Sequence, residues 1–354
     1  MSDAAAWIEL RGARTPLTNL DRIERSQLTP NELHALDFCL QWLGGNSTFN
    51  ITTSGSTGAP KPITTKRKAM IASAEATAKA LSLRAGMTSL VCLDTKFIAG
   101  MMMLVRSMNT GMNMIVTEPS ANPLTGLADQ KIDFAALVPY QLTAILKSGR
   151  QPSIGTIILG GASVSVELIR ETQHLTSACY ATFGMTETLS HIALQRLNGP
   201  SKQENFHTLD DIRISSDKRG CLVIEAGYLD DVVVTNDLVE IITPREFKWL
   251  GRHDNIINSG GIKVLPEKIE AAVANWMVTN NYSNRFFVAG SSHPQLGSQV
   301  TLVIEGSLSH EDEHALLSTL RTSLGKYELP GRVRYKDHFV ETKTGKIDRF
   351  ATLA

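Results

Sequence analysis

From Ser89 to His174 short apolar runs alternate with segments of helical period, after a short strand at Phe49–Thr52 and an Ala-rich helix. Runs at Phe49–Thr52, Ser89–Leu93, Met112–Thr117, Phe134–Val138 and Thr156–Leu159 predict strands. Lys66–Leu83, Ile98–Asn109, Pro139–Lys147 and Val164–His174 predict helices. Strands separated by helices argue a largely parallel sheet with helices on both faces. Ahead of them, residues 1–28 are polar and weakly patterned. Thr29, Pro30 and Glu32 then read as a capped helix start, with Leu33, Leu36, Leu40 and Leu43 as its stripe and Gly44-Gly45 as its stop. Near Phe206 the texture changes. Cys221–Glu225, Asp231–Thr235 and Val239–Ile242 read as short strands of an antiparallel, barrel-like sheet. Beyond Gly251 come a glycine hairpin, helices at Glu267–Trp276 and Glu311–Leu324, strands at Arg285–Ala289, Gln299–Ile304 and Arg332–Tyr335, and a Lys/Gly tail. The expectation is an α/β protein. A large domain at 1–251 carries the mostly parallel sheet and the small antiparallel part, and a small α+β domain fills 252–354.

Composition adds exclusions. Lys+Arg and Asp+Glu both number 35 among 354 residues, so net charge gives no argument for a nucleic-acid or anionic-membrane partner. Cys39, Cys92, Cys179 and Cys221 are scattered without CxxC spacing, which reads as reduced thiols in a cytoplasmic protein. No basic segment followed by an apolar run opens the chain, and no apolar stretch reaches the length of a membrane span. A homo-oligomer stays open.

Candidate chemistry gathers at three strand ends, where open parallel sheets bind ligands. The first is Thr53-Ser54-Gly55-Ser56-Thr57-Gly58-Ala59-Pro60-Lys61. Glycines let the backbone approach a ligand, successive N–H groups make an anion site, and the hydroxyls and Lys61 add donors and charge. This is a phosphate cradle, but not an ordinary P-loop: counted from Gly55, the required second glycine falls at Pro60. At Gly160-Gly161-Ala162, bare backbone can lie against a flat ring; a tight strand-to-helix turn explains the triplet equally well. In Phe183-Gly184-Met185-Thr186-Glu187, Phe183 can stack on a purine, Thr186 can donate to phosphate and Glu187 can hold Mg²⁺ through oxygen; a helix cap is the plainer reading. Two further patterns are read structurally. His310-Glu311-Asp312-Glu313-His314 spells a zinc signature, yet Ser309 and Asp312 look like a helix cap. Met101–Met103 reads as helix packing.

Together these motifs resemble those of the adenylate-forming superfamily, the acyl-CoA synthetase or AMP-binding enzymes, over nearly the whole chain. Thr53–Lys61 resembles the phosphate loop, and Phe183–Glu187 the aromatic-Gly-x-Thr-Glu motif with Phe for the commoner Tyr. Thr235-Asn236-Asp237 resembles Thr-Gly-Asp, with Asn236 for Gly at a turn, and implies that Asp237 binds ribose. Gly251–Gly261 resembles the hinge motif: Arg252 would bind ribose or phosphate, and the small domain would turn about Asp254. The ending from Thr342 to Arg349 resembles Thr-x-x-Gly-Lys-Ile-x-Arg, with Lys346 as the catalytic ammonium beside Thr186 and Glu187. The resemblance implies ATP, Mg²⁺, coenzyme A and a small carboxylic acid. It is narrowest to the o-succinylbenzoate–CoA ligases of menaquinone biosynthesis. That likeness rests on Phe97-Ile98-Ala99-Gly100 with Arg106, on Ser190-His191 as further acid-side residues, and on the CoA-side loop Ser259-Gly260-Gly261-Ile262-Lys263. Two departures stand out. The phosphate loop comes earlier in the chain than is usual, implying a shortened large domain, and Phe97 replaces the usual His.

Overall fold

A computed structural model describes residues 5–52, 62–127, 130–149, 153–341 and 347–353. Among them thirteen strands make one sheet. Its middle is parallel and runs Ala178–Gly184, Ile154–Leu159, Ile132–Leu137, Thr88–Val91, Asn113–Val116 and Trp7–Leu10 in spatial order. All but Ala178–Gly184 are buried along most of their length, as parallel strands under helices must be. One face packs on the helices Pro30–Leu43, Arg67–Leu81 and Ile98–Thr110 through Leu36, Met70 and Met103. The other packs on Pro139–Lys147 and Val166–Thr172 through Leu142, Ile145 and Leu168. Met101–Met103 are core side chains, and all four cysteines are free and buried.

The antiparallel strands continue the same sheet. His191–Arg196 pairs antiparallel to Ala178–Gly184, followed by Phe206–Thr208, Glu246–Arg252, Val233–Thr243, Cys221–Ala226 and Ile212–Ser216. The weakly patterned N-terminal stretch contains the Trp7–Leu10 strand and its hairpin partner Ala13–Pro16. The helix after Thr29 is stopped and started as expected: Glu32 accepts from the Thr29 N–H at 3.0 Å, and the Gly44 N–H reaches Leu40 O. Its buried face differs from the leucine stripe. Ala35, Leu36, Phe38, Cys39 and Trp42 are buried, whereas Leu43 is 50% exposed. Phe38 packs tilted against Phe49 and Trp42 stacks on it, at centroid distances of 5.0 and 5.3 Å, so ring packing sets the helix rotation.

A second sheet holds Ile262–Val264, Ile257–Ser259, Gly297–Glu305, Phe286–His293 and Arg332–Lys336. It has its own core, built with Ile269, Val273 and Trp276 of helix Pro266–Thr279 and Leu316 and Leu320 of helix His310–Ser323. Ser309 caps the latter helix by accepting from the Asp312 N–H at 3.1 Å, and Asp312 also accepts from Tyr282 Oη at 2.6 Å. No helix among the described residues is long and apolar enough to cross a membrane.

Candidate active site

The turn after Ala178–Gly184 is fixed by what touches it. A Cβ on Gly184 would lie 2.4 Å from His191 Cα and from Ser190 O, so the returning strand needs a glycine there. Thr186–Thr188 form one short 3₁₀ turn, and Leu189 takes a φ of +63°. Thr188 Oγ1 accepts from the Met185 N–H at 3.0 Å and donates to Ser190 O at 2.7 Å. Phe183 packs edge-on against Phe206 and Phe247, at 5.8 and 5.2 Å between centroids. Thr186 and the exposed Glu187 open onto a cavity of about 400 Å³ shared with Thr64, Tyr228 and Leu229. No cluster of three metal-ligating side chains exists among the described residues. An ion at Glu187 would thus take one carboxylate plus ligand oxygens, a donor set that suits Mg²⁺.

Gly160 and Gly161 stand level with this turn. A Cβ on Gly160 would meet Thr182 Oγ1 at 2.8 Å, and that hydroxyl donates to Leu159 O at 2.9 Å. Gly161 has a φ of +78°, and Ala162 follows it on the exposed side. The carboxyl ends of the strands at Leu137 and Leu159 therefore lie beside Thr182, just before the turn.

Behind the turn lies a buried polar chain. Arg106, 2% exposed on helix Ile98–Thr110, donates through Nη2 to Ser190 Oγ. Ser190 Oγ lies 3.3 Å from His191 Nδ1, His191 Nε2 lies 3.2 Å from Thr77 Oγ1, and Thr77 donates to Ser73 O at 3.1 Å. Donors run one way along this chain if His191 carries its proton on Nε2. Burial first, then the Arg106 cation, holds the imidazole pKa well below its ordinary value, so it is neutral. Burial also pulls the Arg106 guanidinium down to about 10. No carboxylate among the described residues pairs with Arg106, and its Nε has no partner. Phe97 caps the same helix half-buried, and a Cβ on Gly100 would lie 2.4 Å from Asp94 O, so the helix start is pressed on that backbone. Sequence reading missed Ser73, Thr77 and Tyr228. Ser73 and Thr77 sit four apart among alanines, one polar stripe on a buried face, and that spacing was the available signal.

Asn236 and Asp237 lie inside the strand Val233–Thr243 rather than at a turn, and Asn236 has no positive φ. Asp237, 7% exposed, accepts from Trp249 Nε1 at 3.0 Å, with Arg252 Nη1 3.9 Å from its other oxygen. Asp254 accepts from Arg252 Nη2 at 3.0 Å and from Asn236 Nδ2 at 3.2 Å, so Asn236 supplies a contact that glycine cannot. Gly251 has a φ of +148°, and a Cβ there would sit 2.4 Å from Glu267 Oε2. Ser259 pairs with Ile262 across Gly260 and Gly261, whose φ values are +57° and +84°, the two-residue hairpin that positive φ permits. Lys263 beside it is exposed. No hydrogen bond among the described residues joins this hairpin to the Gly184–Glu187 turn. Thr53, Ser54, Gly55, Ser56, Thr57, Gly58 and Lys61 lie outside the described residues, as does Lys346.

Comparison with known proteins fits this geometry. Residues 41–211 match the family of AMP-binding enzymes. A solved structure of an acyl-CoA synthetase (AMP-forming)/AMP-acid ligase II-like protein from Dyadobacter fermentans is 41% identical. It aligns over 96% of this chain and 98% of its own, with a TM-score of 0.64. The 2-succinylbenzoate–CoA ligase of Listeria monocytogenes is 24% identical over 92% of this chain and 74% of its own length. The o-succinylbenzoate coenzyme A synthetase of Bacillus subtilis, solved with ATP and magnesium ion, is 20% identical, with a TM-score of 0.71 over 86% of this chain and 69% of that one; it shares the fold. With this sheet, this turn and a 41% identical relative matched from end to end, the chain belongs to the AMP-binding, adenylate-forming enzymes.

Proposed function

We infer that this protein is an AMP-forming acid–CoA ligase and that its acid is o-succinylbenzoate. The observation that carries the acid assignment is Arg106: a guanidinium 2% exposed, with no carboxylate partner among the described residues, directly behind the Gly184–Glu187 turn. A buried charge without a partner is costly, and an acid with two carboxylates supplies one to react and one to pair. The names of curated relatives from Listeria monocytogenes and Staphylococcus aureus support the same acid and CoA.

In this reading a carboxylate oxygen of the acid attacks the α-phosphorus of ATP and pyrophosphate leaves. Thr53–Lys61 binds the outer phosphates, Gly160–Ala162 and Phe183–Met185 bind the adenine, and Asp237 and Arg252 bind the ribose. Glu187 would hold Mg²⁺, which would supply charge neutralisation at the phosphates. Thr186 donates to phosphate, and Lys346 meets the charge that develops on the α-phosphoryl group. The part of the chain beyond Gly251 then turns about Asp254 and withdraws Lys346. The Ser259–Lys263 hairpin opens the thiol path, CoA sulfur attacks the acyl-adenylate and AMP departs. Phe97, Ser190 and His191 shape the acid pocket with Arg106. A cytoplasmic setting, which supplies ATP and CoA, fits this reading. A panel of aryl and aliphatic acids, assayed for ATP- and CoA-dependent AMP formation, tests the reading. AMP release with o-succinylbenzoate and CoA supports it; turnover confined to other acids overturns the acid assignment.

A further inference from the structure

Asn236 sits between a group that can only donate and one that can only accept. Arg219 Nη1 donates to its Oδ1 at 2.8 Å, and its Nδ2 donates to the carboxylate of Asp254, 3.2 Å from each oxygen. A guanidinium has no acceptor and an ionised carboxylate has no donor, so the amide bridges them in one orientation only. Glycine would make neither bond. Arg219 is itself fixed. Its Nε donates to Asp217 Oδ2 at 2.7 Å and its Nη2 to Thr235 O at 3.0 Å. Asp217 Oδ1 in turn accepts from the N–H groups of Arg219 and Cys221, at 2.8 and 2.9 Å. The amide is therefore aimed at Asp254 from the sheet.

The bond crosses from one part of the chain to the other. Asn236 belongs to the strand Val233–Thr243 of the large sheet, and Asp254 to the short turn His253–Asn255 that leads into the second sheet. From the other side Glu267, in the first turn of helix Pro266–Thr279, accepts from the Arg252 N–H at 3.3 Å and from Asn255 Nδ2 at 2.6 Å. Its Oε2 lies against Gly251, buried and without a partner. A sealed carboxylate oxygen left unpaired costs free energy, and a turn that drew Gly251 away would relieve that cost. Asn236 opposes such a turn.

We propose that Asn236 is a positioning residue for the turn about Asp254: aimed by Arg219, it holds the pivot in the present arrangement, and each passage between the two half-reactions breaks and remakes this bond. The proposal rests on the ligase reading above and adds to it what retains one of the two arrangements. The side chains of Asp254 and Arg219 are 54% and 40% exposed, so the tie is weak enough to break in every cycle.

The test measures single-turnover rates of acyl-adenylate formation and of thioester formation from preformed acyl-adenylate, with the acid that the panel identifies. Asn236→Ala removes the tie and keeps the strand. It should change the ratio of the two rates by roughly twofold to tenfold, the range of one hydrogen bond. Asn236→Asp keeps a partner for Arg219 and sets a like charge against Asp254. It should shift the ratio further in the same direction, and its excess over Asn236→Ala should shrink at high salt, because exposed charges are screened. A merely structural part in the strand carries no such salt dependence. Arg219→Met should shift the ratio in the wild-type background and not in Asn236→Ala, since it acts through the amide. Thermal melts check folding, and Asn236→Asp decides if Asn236→Ala does not fold. The wild-type ratio in the folded variants overturns the proposal and leaves the ligase reading intact. A shift equal in both variants and indifferent to salt does the same. If no acid gives AMP, the ligase reading falls, and backbone hydrogen exchange over residues 252–258 decides whether the tie holds the turn. Faster exchange in Asn236→Ala than in wild type supports it; equal exchange overturns it.

Discussion

Arg106 and Ser190 are 84 positions apart in sequence, yet the guanidinium of one donates to the hydroxyl of the other inside the protein. This contact ties helix Ile98–Thr110 to the end of the Gly184–Glu187 turn. It leaves Arg106 Nε free for a ligand. Arg106→Leu should therefore raise KM for o-succinylbenzoate by roughly tenfold to a hundredfold, the range for a lost bond to a charged group. KM for ATP should stay nearly constant, and an acid without the second carboxylate should be little affected. Steady-state kinetics with both acids check this. Equal weakening of both acids would remove Arg106 as the carboxylate reader.

Gly184 should tolerate no side chain. The atoms that an alanine Cβ would meet at 2.4 Å are backbone, so no rotamer change relieves the contact. Gly184→Ala should lower stability by about 2–3 kcal/mol, as overpacking typically does, and should displace Thr186 and Glu187 with it. Gly227→Ala is the control: open space surrounds that position, and stability should change by less than about 0.5 kcal/mol. Urea unfolding of both variants reads the contrast.

The alternation of strands and helices was legible because burial on both faces imposes it. Pro139–Lys147 begins and ends where the sequence placed it, and Ile98–Thr110 ends one residue later. The strand Trp7–Leu10 was not legible: four residues carry too little pattern, and its partner Asn113–Val116 is far along the chain. The rotation of Pro30–Leu43 was lost for another reason. A leucine count cannot show that Phe49, on the next strand, draws Phe38 and Trp42 inward. At the site, the glycines at 184 and 251 were readable as motif positions, but their contacts with His191 and Glu267 were not, because close approach is a tertiary fact. The expected turn at Asn236 is a strand, since its amide is used to hold Asp254 instead of bending the chain.

His191 should make stability depend on pH. Its folded pKa lies well below the ordinary value through burial and the Arg106 charge. Below about pH 6.5 the unfolded chain binds a proton at this imidazole that the folded protein excludes, so stability falls as pH falls, by up to about 1.4 kcal/mol per pH unit. Above that pH the contribution is flat. His191→Gln retains hydrogen-bonding capacity without titrating. The difference in unfolding free energy between wild type and variant should therefore shrink from pH 7.5 to pH 5. A difference independent of pH would mean that the imidazole titrates normally in the fold.

Arg349 clamps the end of the chain beside the position assigned to the catalytic ammonium. Its Nη1 lies 3.0 Å from Glu270 Oε1 on helix Pro266–Thr279 and also donates to Val288 O, while its guanidinium sits 5.7 Å from the centre of the Phe287 ring. Burial pushes the Glu270 carboxyl pKa up and Arg349 opposes it, so the pair depends on both members. Lys346 stands three positions before Arg349 in sequence, and in the proposed cycle the clamp sets that lysine's reach. Arg349→Met should lower stability by roughly 1–3 kcal/mol, less than for a fully buried pair because both side chains keep some solvent contact. It should slow acyl-adenylate formation and leave thioester formation from preformed acyl-adenylate nearly unchanged, since only the first step uses Lys346 in the proposed cycle. Replacing both partners, as Arg349→Met with Glu270→Leu, removes the unpaired carboxylate and should recover most of the stability without recovering adenylation. Melting temperatures and separate assays of the two half-reactions distinguish these effects. Adenylation that returns together with stability in the double variant would show that the pair only supports the fold, and would leave Lys346 positioned by something else.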